Sequence, residues 1–221
     1  MSDIALYYET SGRGEALILL HGNGEAHSYF CNQIPFLSER FTVYALDTRG
    51  HGQSQMGEKP FTLSQFADDL RDWMDERGIR RAHVLGFSDG ANIAMLFAIR
   101  NPERLLSLVL NSGNLDPSGL DPAFLREITE AQKHTRDARE SGLLKLMTEE
   151  PHIDPKALSV IHVPTLVIAG TDDLIPPEHT RLIANSIQDA RLVFLRGTHA
   201  VAEEDPGVFN AALAAFYHNV S

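Results

Sequence analysis

The chain has 221 residues, a formal net charge of −11, 43% hydrophobic residues, 22% charged residues and one cysteine. This length and ordinary hydrophobic content exclude a disordered or fibrous chain and predict one globular domain over residues 1–221. Acidic residues occur throughout and no basic stripe is present, so we expect neither nucleic acid nor an anionic membrane as a partner.

The apolar runs and the cysteine count predict a cytoplasmic protein. Residues 1–3 are followed by neither a basic segment nor the long apolar run of a signal peptide. The longest apolar runs, such as 16–20 and 163–169, are strand-sized and too short for a bilayer. Cys31 alone cannot form an internal disulfide, which is typical of a reducing compartment. We expect a monomer or a homodimer.

Short apolar runs alternate with stretches of helical period, a pattern typical of parallel strands joined by helices. In the first half of the chain, strands are predicted at residues 4–9, 16–20, 41–46, 82–86 and 105–110. Residues 11–14 are predicted to form a turn. Helices are predicted at 63–77, where Gly78 is a suitable C-terminal glycine, and at 89–100.

Residues 112–162 interrupt this alternation because they are polar and predict no strand. Two helices are expected within them, at 122–140 and 143–149. Strands at 164–169 and 191–195 and helices at 177–187 and 206–218 then follow. The pattern predicts one α/β domain with an insertion after its fourth parallel strand. Since this insertion contains amphipathic helices, we expect a short helical lid rather than a linker.

The segment Gly86-Phe87-Ser88-Asp89-Gly90 fits G-x-S-x-G, between a predicted strand and a predicted helix. Small residues at Gly86 and Gly90 permit a tight turn that exposes the Ser88 side chain. The N-terminus of the helix supplies N–H groups for a developing negative charge. A serine that merely caps the helix is the alternative, but this context favours a nucleophile.

A glycine-rich turn, His21-Gly22-Asn23-Gly24, follows a predicted buried strand. Such a turn is a weak signal alone. Upstream of a nucleophilic serine it is suited to supply an oxyanion donor, so we expect the backbone N–H groups of Asn23 and Asp89 to form an oxyanion hole. We expect His21 to hold the turn through a side-chain hydrogen bond.

An activated serine needs a base within reach and a third group that orients the base. Among the ten histidines, His199 lies in the loop after the last predicted strand. Loops after parallel strands gather at one edge of the sheet, so His199 can meet Ser88 there. Asp172 and Asp173 follow the strand at 164–169 by the same logic, and either can orient the imidazole.

These motifs resemble those of the α/β-hydrolase superfamily over nearly all of the chain. The matching segments are His21–Gly24, Asp47-Thr48-Arg49-Gly50-His51-Gly52-Gln53-Ser54, Gly86–Gly90, Gly170-Thr171-Asp172-Asp173 and His199. The resemblance implies an α/β-hydrolase fold with a mostly parallel sheet of seven or eight strands flanked by helices. In the family's G-x-x-D pattern the acid is the fourth residue, so the implied triad is Ser88, Asp173 and His199.

Two departures from the family bear on the sheet and the pocket. Relatives usually carry a strand ahead of the segment matching 4–9, so we expect the family's first antiparallel strand to be absent. The insertion at 112–162 is shorter than many caps of the family, which predicts a modest, fairly open pocket and small substrates.

The substrate pocket should lie between the predicted lid and Ser88. By chain order, the residues expected near it are Glu25, His27, Phe30, Phe87, Asp89, Asn114 and Leu174. In the lid, Phe124, Leu125 and Ile128 recur at helical spacing and either roof a substrate or pack on the domain. Asp89 resembles the S-D-G elbow of hydrolases of amino-acid esters, where an acid meets a substrate ammonium; alternatively it serves the first turn of its helix.

The expected function is hydrolysis of small carboxylic esters, including lactones and thioesters, through an acyl group on Ser88. No cofactor is expected and no metal, because Asp172, Asp173 and His179 match no metal-ligand spacing. C–C bond hydrolysis and perhydrolysis use the same triad and stay open as alternatives. A non-catalytic ligand receptor on the same scaffold is a further alternative, because a fold does not fix a function.

Overall fold

A mostly parallel β-sheet organises the chain in a computed structural model that describes residues 2–220. Over this range the strands are β1 (Tyr8–Gly12), β2 (Ala16–Leu20), β3 (Thr42–Leu46), β4 (Ala82–Phe87), β5 (Leu105–Asn111), β6 (Thr165–Gly170) and β7 (Arg191–Leu195). Their order is β1-β3-β2-β4-β5-β6-β7, with β1 antiparallel to β3 and the other neighbours parallel. The predicted fold class is confirmed, with seven strands.

Helices cover both faces of this sheet. Within residues 2–220 they are α1 (Ile34–Leu37), α2 (Leu63–Glu76), α3 (Asp89–Arg100), α4 (Pro122–His134), α5 (Ala138–Thr148), α6 (Pro177–Ser186), α7 (Val201–Glu204) and α8 (Pro206–Tyr217). Helices α4 and α5 lie in the segment 112–162, between β5 and β6. None of the helices described here is long and apolar enough to cross a membrane.

The core consists of two apolar layers because successive strand residues point to opposite faces of the sheet. Ile18 and Leu20 pack with α2, α3 and α6, whereas Leu17 and Leu19 pack with α1 and α8. Every residue of β4 is buried. Continuous apolar strands of this kind are expected where helices cover both faces, and they give the loops at the C-terminal edge of the sheet a rigid support.

The first strand was predicted four residues too early, at 4–9. The structure pairs β1 with β3 from Tyr8 opposite Leu46 to Gly12 opposite Thr42. The preceding residues bond a loop instead of a strand: Tyr7 N–H donates to Ser54 Oγ at 2.8 Å. Ile4 and Leu6 are nevertheless buried, in the apolar cluster that contains Ile18 and α2.

The predicted break between the two helices of 112–162 was also misplaced. Helix α4 ends at His134, and α5 begins after Asp137, whose carboxylate accepts the Glu140 N–H at 2.7 Å. Residues 141–142, between the two predicted helices, lie inside α5. A Cβ at Gly142 would lie 3.1 Å from the Phe61 ring, so the glycine permits close packing of α5 instead of ending a helix.

A buried ion pair joins the loop after β3 to α2. The Arg49 side chain is fully buried, and its Nε and Nη2 donate to Asp69 at 2.7 and 2.8 Å. Arg49 Nη2 also bonds Asp3 at 2.6 Å, and Nη1 bonds the Met56 carbonyl at 2.7 Å. Since Asp69 is only 1% exposed, its charge depends on this arginine for compensation.

We expect Arg49→Met to lower the free energy of unfolding by about 3–5 kcal/mol, because it leaves the buried Asp69 carboxylate without its counter-ion. Lys133→Met is the control, since Lys133 and its partner Glu130 are both 62% exposed. That change should cost less than about 1 kcal/mol. Urea unfolding followed by circular dichroism measures both variants, and equal losses would contradict the prediction.

Candidate active site

Ser88 lies in a tight turn between β4 and α3. Its backbone adopts φ 53° and ψ −120°, a region that L-residues rarely enter. A Cβ on Gly86 would lie 2.2 Å from the Gly90 carbonyl oxygen, and one on Gly90 would lie 2.0 Å from the Leu20 carbonyl oxygen. The neighbouring backbone therefore leaves no room for a side chain at either position. The Ser88 N–H donates to the Asn111 carbonyl at 2.8 Å and fixes the turn to the end of β5.

Ser88, His199 and Asp173 form a hydrogen-bonded chain at the C-terminal edge of the sheet. His199 Nε2 lies 2.9 Å from Ser88 Oγ, and His199 Nδ1 lies 2.6 Å from Asp173 Oδ1. The three residues follow β4, β7 and β6, whose parallel directions bring these loops together. An ionised Asp173 accepts the Nδ1 proton, which leaves Nε2 to accept the Ser88 hydroxyl. This geometry permits proton transfer from the serine to the imidazole.

The Asp173 carboxylate accepts further hydrogen bonds. Its Oδ1 accepts the Ile175 N–H at 3.0 Å, and its Oδ2 accepts the Ser112 hydroxyl at 2.6 Å and the Gly170 N–H at 3.2 Å. Burial alone would raise the pKa of Asp173, but the bonds from His199, Ser112 and Ile175 bring it below its usual value. Of the two aspartates left open by the sequence, Asp173 contacts His199, while Asp172 is exposed and bonds Thr171.

The glycine-rich turn after β2 lies beside Ser88. Gly24 has φ +75° and completes a turn in which the Glu25 carboxylate accepts the Gly22 N–H at 3.0 Å. The Asn23 side chain donates to Asp89 Oδ2 at 2.8 Å and to the Leu143 carbonyl of α5 at 2.9 Å. Within residues 2–220, the backbone N–H groups of Asn23 and Asp89 have no hydrogen-bond acceptor. They are thus free to bind an oxygen of a ligand.

The Asp89 carboxyl is largely buried and is hydrogen-bonded to two side-chain amides. The residue is 7% exposed, and its two oxygens lie 2.8 Å from Asn23 Nδ2 and 3.4 Å from Asn92 Nδ2. Burial raises its pKa, against these two hydrogen bonds. Both oxygens are occupied, which argues against Asp89 as the group that meets a substrate ammonium.

His21 holds the turn after β2, as predicted. Its Nδ1 lies 2.8 Å from the Gly22 carbonyl, and its Nε2 accepts the Thr48 N–H at 3.0 Å. Nδ1 therefore carries the proton and the ring is neutral. Burial, together with neighbouring His51, lowers the pKa of His21 to about 4.

A cavity of about 190 Å³ opens above Ser88 and His199. Its wall includes these residues and seven more predicted ones: Asn23, Glu25, Phe87, Asp89, Asn114, Phe124 and Leu174. Leu120, Met147 and Ala200 also line it and were missed. Met147 lies in α5, where a helix was predicted. Which face of this helix points to the cavity depends on how α5 packs, so no local sequence pattern marks Met147 as a wall residue.

Four residues predicted near the pocket lie elsewhere. Phe30 is fully buried behind the Tyr29 ring, which stacks on Phe87 with 4.3 Å between centroids. His27 instead bonds Asp47 at 2.8 Å. Ile128 and Leu125 pack in an apolar cluster beneath the surface of α4, because this amphipathic helix buries its apolar face. Phe30 and Ile128 are therefore corrected from pocket residues to core residues.

His179 and Asp173 are both engaged in hydrogen bonds within the protein. His179 Nε2 accepts the Leu115 N–H at 2.9 Å, and Asp173 is engaged by His199. Among the described residues, no group of three or more His, Cys, Asp or Glu side chains is placed to hold a metal ion.

Several of the proteins to which the chain is similar are hydrolases. A family model described as alpha/beta hydrolase fold matches residues 15–156. The putative carbamate hydrolase RutD of Azorhizobium caulinodans is 28% identical over 97% of this chain and 95% of its own. The crystal structure of a hydrolase from Pseudomonas aeruginosa PA01 is 29% identical with a TM-score of 0.84, covering 97% of this chain and 94% of that one. The enol-lactonase from Burkholderia xenovorans LB400 is similar in fold, with 24% identity, a TM-score of 0.83 and coverage of 98% and 97%.

Because His21 is neutral in the folded chain, the free energy of unfolding should decrease as the pH falls. Its pKa is lowered to about 4 in the folded chain, so the unfolded chain binds more protons below pH 6.5 and the folded chain loses stability as pH falls. We expect this one group to remove about 3 kcal/mol between pH 6.5 and 4. In His21→Gln the free energy of unfolding should fall less steeply over that range. The exposed His218→Gln is the control, and identical slopes for all three proteins would refute the effect.

Proposed function

Because the chain belongs to the alpha/beta hydrolase fold family and is a hydrolase, we propose that it cleaves small carboxylic esters, including lactones and thioesters, with Ser88 as nucleophile. The observation that carries the proposal is the hydrogen-bonded chain Ser88–His199–Asp173, with distances of 2.9 and 2.6 Å. A serine bonded to an imidazole that is itself bonded to a buried carboxylate is the arrangement that activates a hydroxyl for acyl transfer.

The reaction proceeds in two halves. His199 accepts the Ser88 proton as Oγ attacks the carbonyl carbon, and the carbonyl oxygen becomes an oxyanion held by the N–H groups of Asn23 and Asp89. His199 then protonates the leaving alcohol, and an acyl-enzyme remains on Ser88. Water, deprotonated by His199, attacks this ester and releases the carboxylic acid. Asp173 fixes the Nδ1 tautomer and stabilises the imidazolium through both steps.

The cavity supports small substrates and a lid above them. Its volume of about 190 Å³ is below the roughly 300–1,000 Å³ typical of pockets for drug-sized ligands. Helices α4 and α5 supply Phe124 and Met147 to its wall. Asn23 bonds Leu143 of α5, and Arg139 donates to the Gly50 carbonyl at 2.9 Å. We propose that segment 112–162 is a lid within one domain, tied to the turn at residues 21–24 by the Asn23 bond and to the loop after β3 by the Arg139 bond.

We expect Ser88→Ala to reduce hydrolysis of p-nitrophenyl acetate and butyrate by at least about 1,000-fold, because no other group supplies the nucleophile. Ser159→Ala, on the exposed surface, should retain full activity. Stoichiometric labelling of the wild type by a fluorophosphonate probe, absent in Ser88→Ala, should accompany this loss. Wild-type rates in folded Ser88→Ala would remove Ser88 from the mechanism. A wild type that neither hydrolyses esters nor takes up the probe would favour the non-catalytic receptor.

The charge of the cavity wall favours neutral or cationic substrates. Glu25 and Asp89 line the cavity, and no lysine or arginine is among its described wall residues. Glu25 has one oxygen on the Gly22 N–H, and burial raises its pKa to about 7. A bound cation would favour the ionised carboxylate. We propose that Glu25, rather than Asp89, accepts a positively charged group of the substrate.

Acetylthiocholine and 3,3-dimethylbutyl thioacetate differ chiefly in charge and therefore test this role. We expect the kcat/KM ratio of the cationic to the neutral thioester to rise between pH 6 and 8 as Glu25 ionises. In Glu25→Gln the ratio should fall several-fold and lose this pH dependence. Glu103→Gln, outside the cavity wall, is the control. The same ratio in wild type and Glu25→Gln would exclude Glu25 from substrate selection.

A further inference from the structure

The end of β5 carries two polar residues, Asn111 and Ser112, that the reaction described above does not use. Both are buried, with exposures of 0% and 2%. The Ser112 hydroxyl donates to Asp173 Oδ2 at 2.6 Å and accepts Asn111 Nδ2 at 2.8 Å. The Asn111 carbonyl accepts the Ser88 N–H at 2.8 Å. One dipeptide thus contacts the backbone of the serine and the side chain of the acid.

The backbone of Ser112 is in a conformation that favours glycine. Its φ is +54°, and the other described non-glycine residues with positive φ are Ser88 and Asp189. L-residues pay a conformational cost in this region, and such strain is retained where the surrounding structure requires the side chain. Glycine would remove the strain here but could not supply the hydroxyl that bonds Asp173.

The Asn111 amide fixes the direction of the hydrogen bonds made by the Ser112 hydroxyl. Its Nδ2 donates to Ser112 Oγ, while its Oδ1 is buried with no partner in the part of the chain that the structure describes. A donor from Asn111 occupies the Ser112 oxygen as an acceptor, so the Ser112 proton is directed to Asp173. The direction of the hydrogen bonds is therefore Asn111 to Ser112 to Asp173.

We propose that Asn111 and Ser112 are positioning residues that hold the Asp173 carboxylate in a fixed orientation relative to Ser88. This role rests on the proposed function of the triad. The Ser112 bond restrains Oδ2, so that Oδ1 stays aimed at His199 Nδ1. The Asn111 carbonyl accepts the Ser88 N–H at the end of the same strand. The two ends of the hydrogen-bonded chain, Ser88 and Asp173, are therefore held at a fixed separation.

Removal of the hydroxyl should alter the behaviour of His199 as a base. Asp173 would keep three hydrogen bonds and more of its negative charge would face the imidazole, which stabilises the protonated ring. The other carboxyls that act on His199 through space are Glu25 and Asp89. Both are unchanged by a substitution at Ser112, so a change in pH dependence would arise from Asp173.

Ser112→Gly separates positioning from structural support because it removes the hydroxyl and the backbone strain together. Asp189→Gly is the matched control: Asp189 has φ +57°, is exposed and lies outside the cavity wall. We expect a Tm at or above that of the wild type for the control, and a folded protein for Ser112→Gly.

The kcat/KM of Ser112→Gly for p-nitrophenyl butyrate should fall roughly 10-fold. The acid limb of its pH profile should move upward by roughly half a unit. Ser112→Ala, which keeps the strain, should show the same kinetic changes with a lower Tm.

A second readout is independent of turnover. The proton on His199 Nδ1, observed by NMR in the hydrogen bond to Asp173, should change its chemical shift in Ser112→Gly and not in Asp189→Gly. Wild-type kinetics together with an unchanged resonance in Ser112→Gly would overturn the proposal. If the wild type shows no Ser88-dependent hydrolysis, the proposed function fails, and the NMR comparison alone decides whether Ser112 positions Asp173.

Discussion

The close approach of α3 to the ends of β2 and β4 is the constraint on which the site depends. Gly90 lies against the Leu20 carbonyl and Gly86 against the Gly90 carbonyl, at separations that no side chain tolerates. This contact forces the turn between them into the conformation at Ser88 and brings the Asp89 N–H beside the turn that begins at His21. Ser88 and the Asp89 N–H are consequently positioned by one backbone contact between apolar elements, and no mobile side chain is needed to bring them together.

The loop after β3 supports the other side of this contact. Thr48 N–H bonds His21, and Asp47 accepts the His27 and Gln53 N–H groups at 2.6 and 2.8 Å. Arg49, from the same loop, is anchored by Asp69 of α2. The loop thus connects a helix of the core to the turn at residues 21–24 and holds that turn in place. Neutral histidine suits this position because it donates one hydrogen bond and accepts another in fixed directions without bringing a charge into the turn.

Local pattern determined which parts of this arrangement were predictable. The contact between Ser88 and His199 could be predicted because each residue follows an apolar strand and lies at the same edge of the sheet. Asp172 and Asp173 are adjacent, and only the conformation of their loop decides which carboxylate reaches the imidazole. The break between the two helices of 112–162 was misplaced because the sequence does not show that Gly142 packs against Phe61 inside α5. Ser112 had no signal, since its contact with Asp173 joins residues 61 positions apart in the chain.

The chain buries carboxylates in two different ways, and the difference has a chemical reason. Asp69 is compensated by the guanidinium of Arg49, a permanent positive charge that stabilises the fold. Among residues 2–220, the donors to Asp173 are dipolar groups: two backbone N–H groups, the Ser112 hydroxyl and His199. A fixed cation beside Asp173 would neutralise the field that stabilises a protonated imidazole. Neutral donors keep the carboxylate ionised and oriented while leaving its charge available to the one group whose protonation state must change during the proposed reaction.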